Sequence, residues 1–357
     1  MKNNFGVSRR KFIRQTSLGL GAGLAGVSFS SCDKNPQAEA GKMARRVRVA
    51  GVDLRGLHPE KTREKRVKRI LSRMEDVAGL QPDFICLTEL FDTIWVDEKI
   101  NLQDVAEDEK VPGPVTGLIA EYAAKHKCYV VCPIYTKKDG KYHNSSLLID
   151  RKGNIAGAYN KIHPVVSEIL TEGDKPGENS VYSGSIDQPV IETDLGKVGM
   201  QICYDANWAD GWANLKNKGA EIIFFSSAYP GGRILNYYAW RNNCYIVSSS
   251  GMDARVVDMS GNILDASSTF VRYAWADINL EKVNTDTWPT NERLPDIFNK
   301  YGNRVGVKVW ENTQVITLES LDPTLKIRDV LKEFDLLTID EVINASEAVQ
   351  DQYRIQG

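Results

Sequence analysis

The 357-residue chain carries 45 Lys and Arg against 47 Asp and Glu, and 42 % of its residues are hydrophobic. That balance excludes the strongly basic surface of a nucleic-acid binder and the charged, apolar-poor composition of a disordered chain. It leaves apolar material for one large domain or two smaller ones with a sizeable core.

The stretch SRRKFIRQTSLGLGAGLAGVSFSSC begins with Arg9, Arg10, Lys11 and Arg14, runs through a short Gly/Ala/Leu-rich core and ends in small residues before Cys32. This is the layout of a signal peptide over residues 1–32, too short and too glycine-rich for a membrane span. Arg9-Arg10 followed by Phe12-Ile13 resembles a twin-arginine export signal, which implies transport in the folded state and a periplasmic destination. The FSSC ending resembles a lipoprotein cleavage box, so Cys32 is a candidate for lipidation, with simple cleavage beyond it the alternative. A lipid at Cys32 would be the only link to a membrane. Residues 33–44, small and polar, form a tether.

From residue 45 strand-like and helix-like stretches alternate. RVRVAGVDL predicts a strand, and PEKTREKRVKRILSRMEDVAGL a helix with Val67, Ile70, Leu71 and Met74 on one face. DFICLTEL, the helical PVTGLIAEYAAKHK and CYVVCPIY follow, then a strand pair, NSSLLID and GAYNKI, turning at RKGN. VGMQICY, a Trp-rich helix from about Asn207, AEIIFFSSA, a helix around NYYAWRNN, and CYIVSSSG continue the rhythm. A hairpin, RVVDMSGNILDASS, and the strand FVRYAWADINL complete it. Runs such as IIFFSSA are apolar throughout, which predicts strands covered on both faces. Strand and helix in this order argue for an α/β layered domain over residues 45–282. VNTDTWPTNERLPDIFNKYGNRV is loop-like, and helical patterns end the chain. Residues 283–357 are therefore an extension of the domain or an arm on a partner.

Without Cys32 five cysteines remain, an odd number without disulfide-framework spacing. Cys86, Cys128 and Cys132 lie in or beside apolar strands and predict buried thiols, the last two on one strand face. No His/Cys pattern suggests a metal, and no cofactor is implied.

In layered α/β sheets ligands gather beyond the carboxyl ends of strands. Three reactive side chains fall there: Glu89 after FICLT, Lys161 near the end of GAYNKI, and Cys203 closing VGMQIC. Singly, such residues are core or solvated surface more often than catalytic. Together with their flanks they are specific. LTELFD, YNKIHP and GKVGMQICYDANW resemble the Glu, Lys and Cys blocks of the nitrilase, or carbon–nitrogen hydrolase, superfamily.

That resemblance implies a four-layer α-β-β-α sandwich, usually a homodimer or higher oligomer, with Glu89, Lys161 and Cys203 as catalytic triad. It implies a second glutamate supporting the lysine, Glu168, with Glu172 a rival. The roles are chemically coherent. Glu89 takes the thiol proton, Cys203 attacks, and Lys161 with the Tyr204 backbone N–H stabilises the oxyanion. Tyr204-Asp205 after the nucleophile, where nitrile-hydrolysing members carry Trp-Glu, resembles the amidase and carbamoylase branches. Asp205 also suits a cap for the helix near Asn207. SSAYPGG places Ala228 and Tyr229 beside the pocket. The expectation is hydrolysis of a small amide or N-carbamoyl compound. Acyl transfer from the same thioester, or a non-catalytic exported binding protein on this scaffold, are the alternatives.

Overall fold

The structure, a computed structural model, describes residues 43–56 and 59–355. Arg9, Arg10 and Cys32, and nearly all of the tether, lie outside the described residues. In chain order the elements are β1 (Arg46–Val52), α1 (Arg63–Ala78), β2 (Phe84–Leu87), β3 (Glu107–Asp108) and α2 (Pro114–His126). The meander β4 (Tyr129–Lys138), β5 (Lys141–Ile149) and β6 (Ile155–Asn160) follows. Next come β7 (Ile191–Glu192), β8 (Lys197–Ile202), α3 (Ala209–Asn217), β9 (Ile222–Ser227), α4 (Arg233–Asn242) and β10 (Tyr245–Ser250). The hairpin β11 (Ala254–Val257) and β12 (Ile263–Ala266), then β13 (Tyr273–Asn279), close the series.

These strands make two sheets. One runs β13-β1-β2-β4-β5-β6 with β3 beside β4, the other β12-β11-β10-β9-β8-β7. Phe84, Cys86 and Val131 of the first pack on Met200, Phe224 and Val247 of the second, forming the inner core. Gly51 permits the close approach of β1 to β10, because a Cβ there would sit 2.3 Å from the Ser248 carbonyl oxygen. The outer face of the first sheet is covered by α1 and α2, through Val67, Ile70, Met74, Ile119 and Ala123. Leu71 of the expected stripe is only partly buried. Trp212, Leu215, Leu235 and Tyr238 of α3 and α4 cover the second sheet. The result is the four-layer α-β-β-α sandwich. Its central strands are buried along their whole length, as their unbroken apolar runs require. Cys128 and Cys132 share the core beneath α1 and α2.

The tail departs from expectation. The stretch expected to be loop-like forms a strand, β14 (Lys282–Asp286), and a helix, α5 (Thr287–Tyr301). Pro289 follows a non-helical Trp288 and so opens the regular part of the helix, where a missing N–H costs nothing, and the helix runs on through Pro295. Asp286 caps the start by accepting from the Trp288 N–H, and Ile297 is wholly buried. Two further strands went unforeseen, β15 (Val305–Trp310) and β16 (Val315–Ser320), which with β14 form a sheet in the order β14-β16-β15. With α6 (Ile327–Glu333) it encloses a separate core of Val305, Ile316, Leu318, Ile327, Val330 and Leu331. The last helix, α7 (Ile339–Tyr353), has no buried residue. No helix among the described residues is long and apolar enough to cross a membrane.

Candidate active site

β1 and β2, and β8, β9 and β10, run parallel, so their carboxyl ends meet at one pole of the sandwich. Glu89 follows β2, Cys203 follows β8, and Lys161 follows the edge strand β6. Though far apart in the chain, they converge. Lys161 Nζ donates to Glu89 Oε1 at 2.8 Å and to Glu168 Oε2 at 2.9 Å. The Cys203 thiol lies beside them, close enough for the Glu89 carboxylate, the Lys161 ammonium and the Ser227 hydroxyl to act on its proton.

Lys161 is 2 % exposed and Glu89 3 %, while Cys203 is only partly buried and is the one accessible thiol among the described cysteines. Burial works against charge on Lys161, but the Glu89 and Glu168 carboxylates outweigh it and hold the ammonium above its ordinary range. Burial, reinforced by the Glu89 charge, pushes the Cys203 thiol up to about 11, with Lys161 opposing. The resting sulfur is therefore protonated at neutral pH, beside a carboxylate that can receive its proton.

The backbone around the nucleophile is tightly specified. Cys203 has φ 45°, in the left-handed region that a side chain rarely adopts, at the start of a short 3₁₀ turn, Cys203–Asn207. Asp205 holds that turn. It is fully buried and accepts from the Ile202 N–H at 3.0 Å and from the Tyr159 hydroxyl and the His163 N–H at 2.8 Å each. It therefore does not cap the helix near Asn207, since α3 begins after Trp208 without a side-chain cap. It caps the nucleophile's own turn and ties it to the loop just past Lys161.

Glu168 and Glu172 separate clearly. Glu168 touches Lys161, and its Oε2 also accepts from the Val165 N–H at 2.8 Å. Glu172 is exposed and packs against Gly177. The Tyr204 N–H lies in the first turn of the 3₁₀ segment, where helix geometry supplies no internal partner, and its ring is 41 % exposed. Ala228 contributes backbone, its N–H donating to Glu89 Oε2 at 2.8 Å. Tyr229 is exposed at the rim.

Two neighbours escaped the sequence. Fully buried Asn144 donates through Nδ2 to Glu89 Oε1 at 2.8 Å and to Glu168 Oε1 at 3.0 Å, bracing both acids. Ser227 lies beside the thiol, and its hydroxyl accepts from the Tyr229 N–H at 3.1 Å. The signal for Asn144 was HNSS, polar residues at the start of an otherwise buried strand, since buried polar groups in a core need partners. Among the described residues no group of three or more His, Cys, Asp and Glu is disposed to hold a metal ion.

Comparison with known proteins gives the following. Residues 48–286 match the carbon-nitrogen hydrolase family model. The Dictyostelium discoideum deaminated glutathione amidase is 27 % identical over 176 residues, 44 % of this chain and 59 % of that protein. The Caenorhabditis elegans nitrilase and fragile histidine triad fusion protein is 25 % identical over 246 residues, 62 % of this chain and 55 % of that one. The match thus spans less than two thirds of each relative's length. Among solved structures, Saccharomyces cerevisiae Nit3, of branch 10 of the nitrilase superfamily, superposes with TM-score 0.56 at 20 % identity, covering 67 % of this chain and 92 % of that one. A Helicobacter pylori carbon-nitrogen hydrolase gives 0.53 at 18 %, covering 73 % and 96 %. At these identities the superpositions establish the fold.

Proposed function

The chain belongs to the carbon–nitrogen hydrolase family, and from that premise we propose that it hydrolyses a non-peptide C–N bond in a small amide or N-carbamoyl compound through a Cys-Glu-Lys triad. The observation that carries this is the Lys161 ammonium fixed between Glu89 and Glu168, with the Cys203 thiol beside the same Glu89. Tyr204-Asp205 after the nucleophile supports an amide-type substrate over a nitrile.

In the first half-reaction Glu89 takes the thiol proton as sulfur bonds to the carbonyl carbon. The charge moving onto oxygen is met by the Lys161 ammonium and the Tyr204 N–H. As the C–N bond breaks, Glu89 returns its proton to the departing amine, leaving a thioester on Cys203. Water then attacks, its proton passing to Glu89, and collapse releases the acid and regenerates the thiol. Lys161 keeps its proton throughout, because the Glu168 carboxylate is always beside it and the negative charge that leaves Glu89 reappears on the oxyanion it binds. Removing one preorganised oxyanion donor typically costs about 10²–10³ in kcat.

Export through the Arg9-Arg10 signal, with Cys32 lipidated or removed, belongs to the same proposal, as does assembly as a homodimer or larger homo-oligomer. The deciding experiment compares wild type with Cys203→Ala for amine or ammonia release across amides, N-carbamoyl amino acids and nitriles. Wild type should cleave amides or carbamoyl compounds and accumulate a mass adduct on Cys203, and the variant should do neither. Equal turnover by the two proteins, or preference for nitriles, overturns the proposal.

A further inference from the structure

Beside the triad lies a cavity of ≈ 460 Å³ lined by Leu54, Arg55, Trp95, Gly251, Met252 and Thr269. A single residue, Ala228, links it to the base. The Gly251 N–H donates to the Ala228 carbonyl at 3.2 Å, and the Ala228 N–H donates to Glu89 Oε2 at 2.8 Å.

Its wall is built for close contact. A Cβ on Gly251 would lie 2.2 Å from Trp95 Cη2, so only glycine lets the indole lie against this backbone. Trp95 itself has φ 54°, costly for a bulky residue. Its carbonyl is held there by the Glu60 N–H at 3.1 Å and by Arg66 Nη2 at 2.8 Å. The strained indole remains 38 % exposed and Met252 53 % exposed, an apolar surface next to the reacting centre.

The rim is cationic. Arg55 donates through Nε to the Met252 carbonyl, and its terminal nitrogens have no protein partner among the described residues. Gly56, also lining the cavity, is a window onto a second guanidinium, for a Cβ there would lie 3.1 Å from Arg272 Nη2. Arg272 Nη1 is buried with no hydrogen-bond partner. The nearby acid, Asp53, is fully buried and already engaged by Ser267, the Arg55 N–H at 3.0 Å and Arg73 at 3.6 Å. One guanidinium thus lines an apolar cavity and a second lies behind Gly56, while the adjacent acids Asp53 and Asp253 are already engaged by Arg73 and Arg255, an arrangement that recognises an anion on an apolar body.

We propose that this cavity is the acyl-side subsite, and that it takes an amide whose acyl group is an apolar, aromatic-sized body ending in a carboxylate. The body packs on Trp95 and Met252, and the carboxylate meets Arg55 in front of Arg272. The proposal rests on the assignment of Glu89, Lys161 and Cys203 as the reacting centre.

The test measures kcat/KM of the full-length protein on propionamide, phenylacetamide and 4-carboxyphenylacetamide. The aryl amide should exceed propionamide, and the carboxylate should add about tenfold or more, the scale of a charge-assisted bond. Arg55→Leu should collapse the ratio of carboxylated to neutral aryl amide to below about threefold, a ratio that general loss of fold leaves unchanged. Titration calorimetry of Cys203→Ala with 4-carboxyphenylacetate supplies a readout free of turnover. Binding that vanishes on adding Arg55→Leu upholds the subsite even if no amide is cleaved, in which case the triad assignment alone fails. Brisk hydrolysis with no aryl or carboxylate preference, or binding unchanged by Arg55→Leu, overturns the subsite and leaves the triad standing.

Discussion

A thiol held near 11 makes the base indispensable, since at neutral pH only about one sulfur in 10⁴ is ionised without it. Its pKa is raised in the fold, so the protonated form is favoured and alkylation must climb with alkali. Iodoacetamide labelling of native Cys203 should rise about tenfold per pH unit from 7 towards about 11 and then level off, as mass spectrometry can follow. A plateau below pH 8 would mean that Lys161 outweighs burial. Cys86, Cys128, Cys132 and Cys244 are wholly buried and should label only on unfolding. Asp205 invites a different experiment. Replacing it by Ala strands the Ile202 and His163 N–H groups and the Tyr159 hydroxyl, each worth about 1–3 kcal/mol when buried and unpaired. Asp205→Ala should therefore lower the melting temperature and, by freeing the nucleophile's turn from the Lys161 loop, cut kcat more than it raises KM. The sequence announced Glu89, Lys161 and Cys203 because each sits at a strand's end within a recognisable block. Asn144 and Ser227 stayed hidden because they act through neighbours that only folding supplies.

At the level of elements, legibility followed periodicity. The long apolar runs of β9 and β10 and the stripe of α1 read directly, because burial on both faces or on one leaves a period in the sequence. The tail did not, because prolines in α5 broke the helical signature while a cap and one buried isoleucine were enough to keep the helix. Strands β15 and β16 match β9 and β10 in length, six residues each, but Lys308, Thr317 and Glu319 interrupt their apolar residues, a weaker signal than an unbroken apolar run. Within the tail, burial separates what matters. A chain ending at Glu341 keeps the Thr338–Glu341 capping box and the Asp340 bond to Asn243 while losing exposed helix and one half-buried residue, Val342. Its melting temperature should fall by no more than a few degrees. A chain ending at Asp322 loses Leu325, Ile327, Val330, Leu331 and Leu336, side chains whose truncation costs about 2–5 kcal/mol each. Its three-stranded sheet should no longer fold cooperatively in a thermal scan.

For the whole molecule, strand order was beyond the sequence. Spacing gave the rhythm of strand and helix, but nothing local says that β13 returns to pair antiparallel with β1 along its full length. That pairing fastens the last strand of the sandwich next to its first, and the tail continues from there. Asn279 of β13 donates to the Ser320 carbonyl at 2.8 Å, and the same carbonyl accepts from the Ala44 N–H at 3.3 Å. Both tether and tail therefore attach at the pole where the parallel strands begin, where Arg45 binds Glu221 at 2.8 Å. The cysteine, the lysine and the two glutamates occupy the other pole. If export proceeds as proposed, changing Arg9 and Arg10 to lysine should hold the protein inside the inner membrane, by fractionation and immunoblot. Because Ala44 is fastened at the pole away from Cys203, a fatty acyl chain at Cys32 would join the described domain by its heel and not at its reactive mouth.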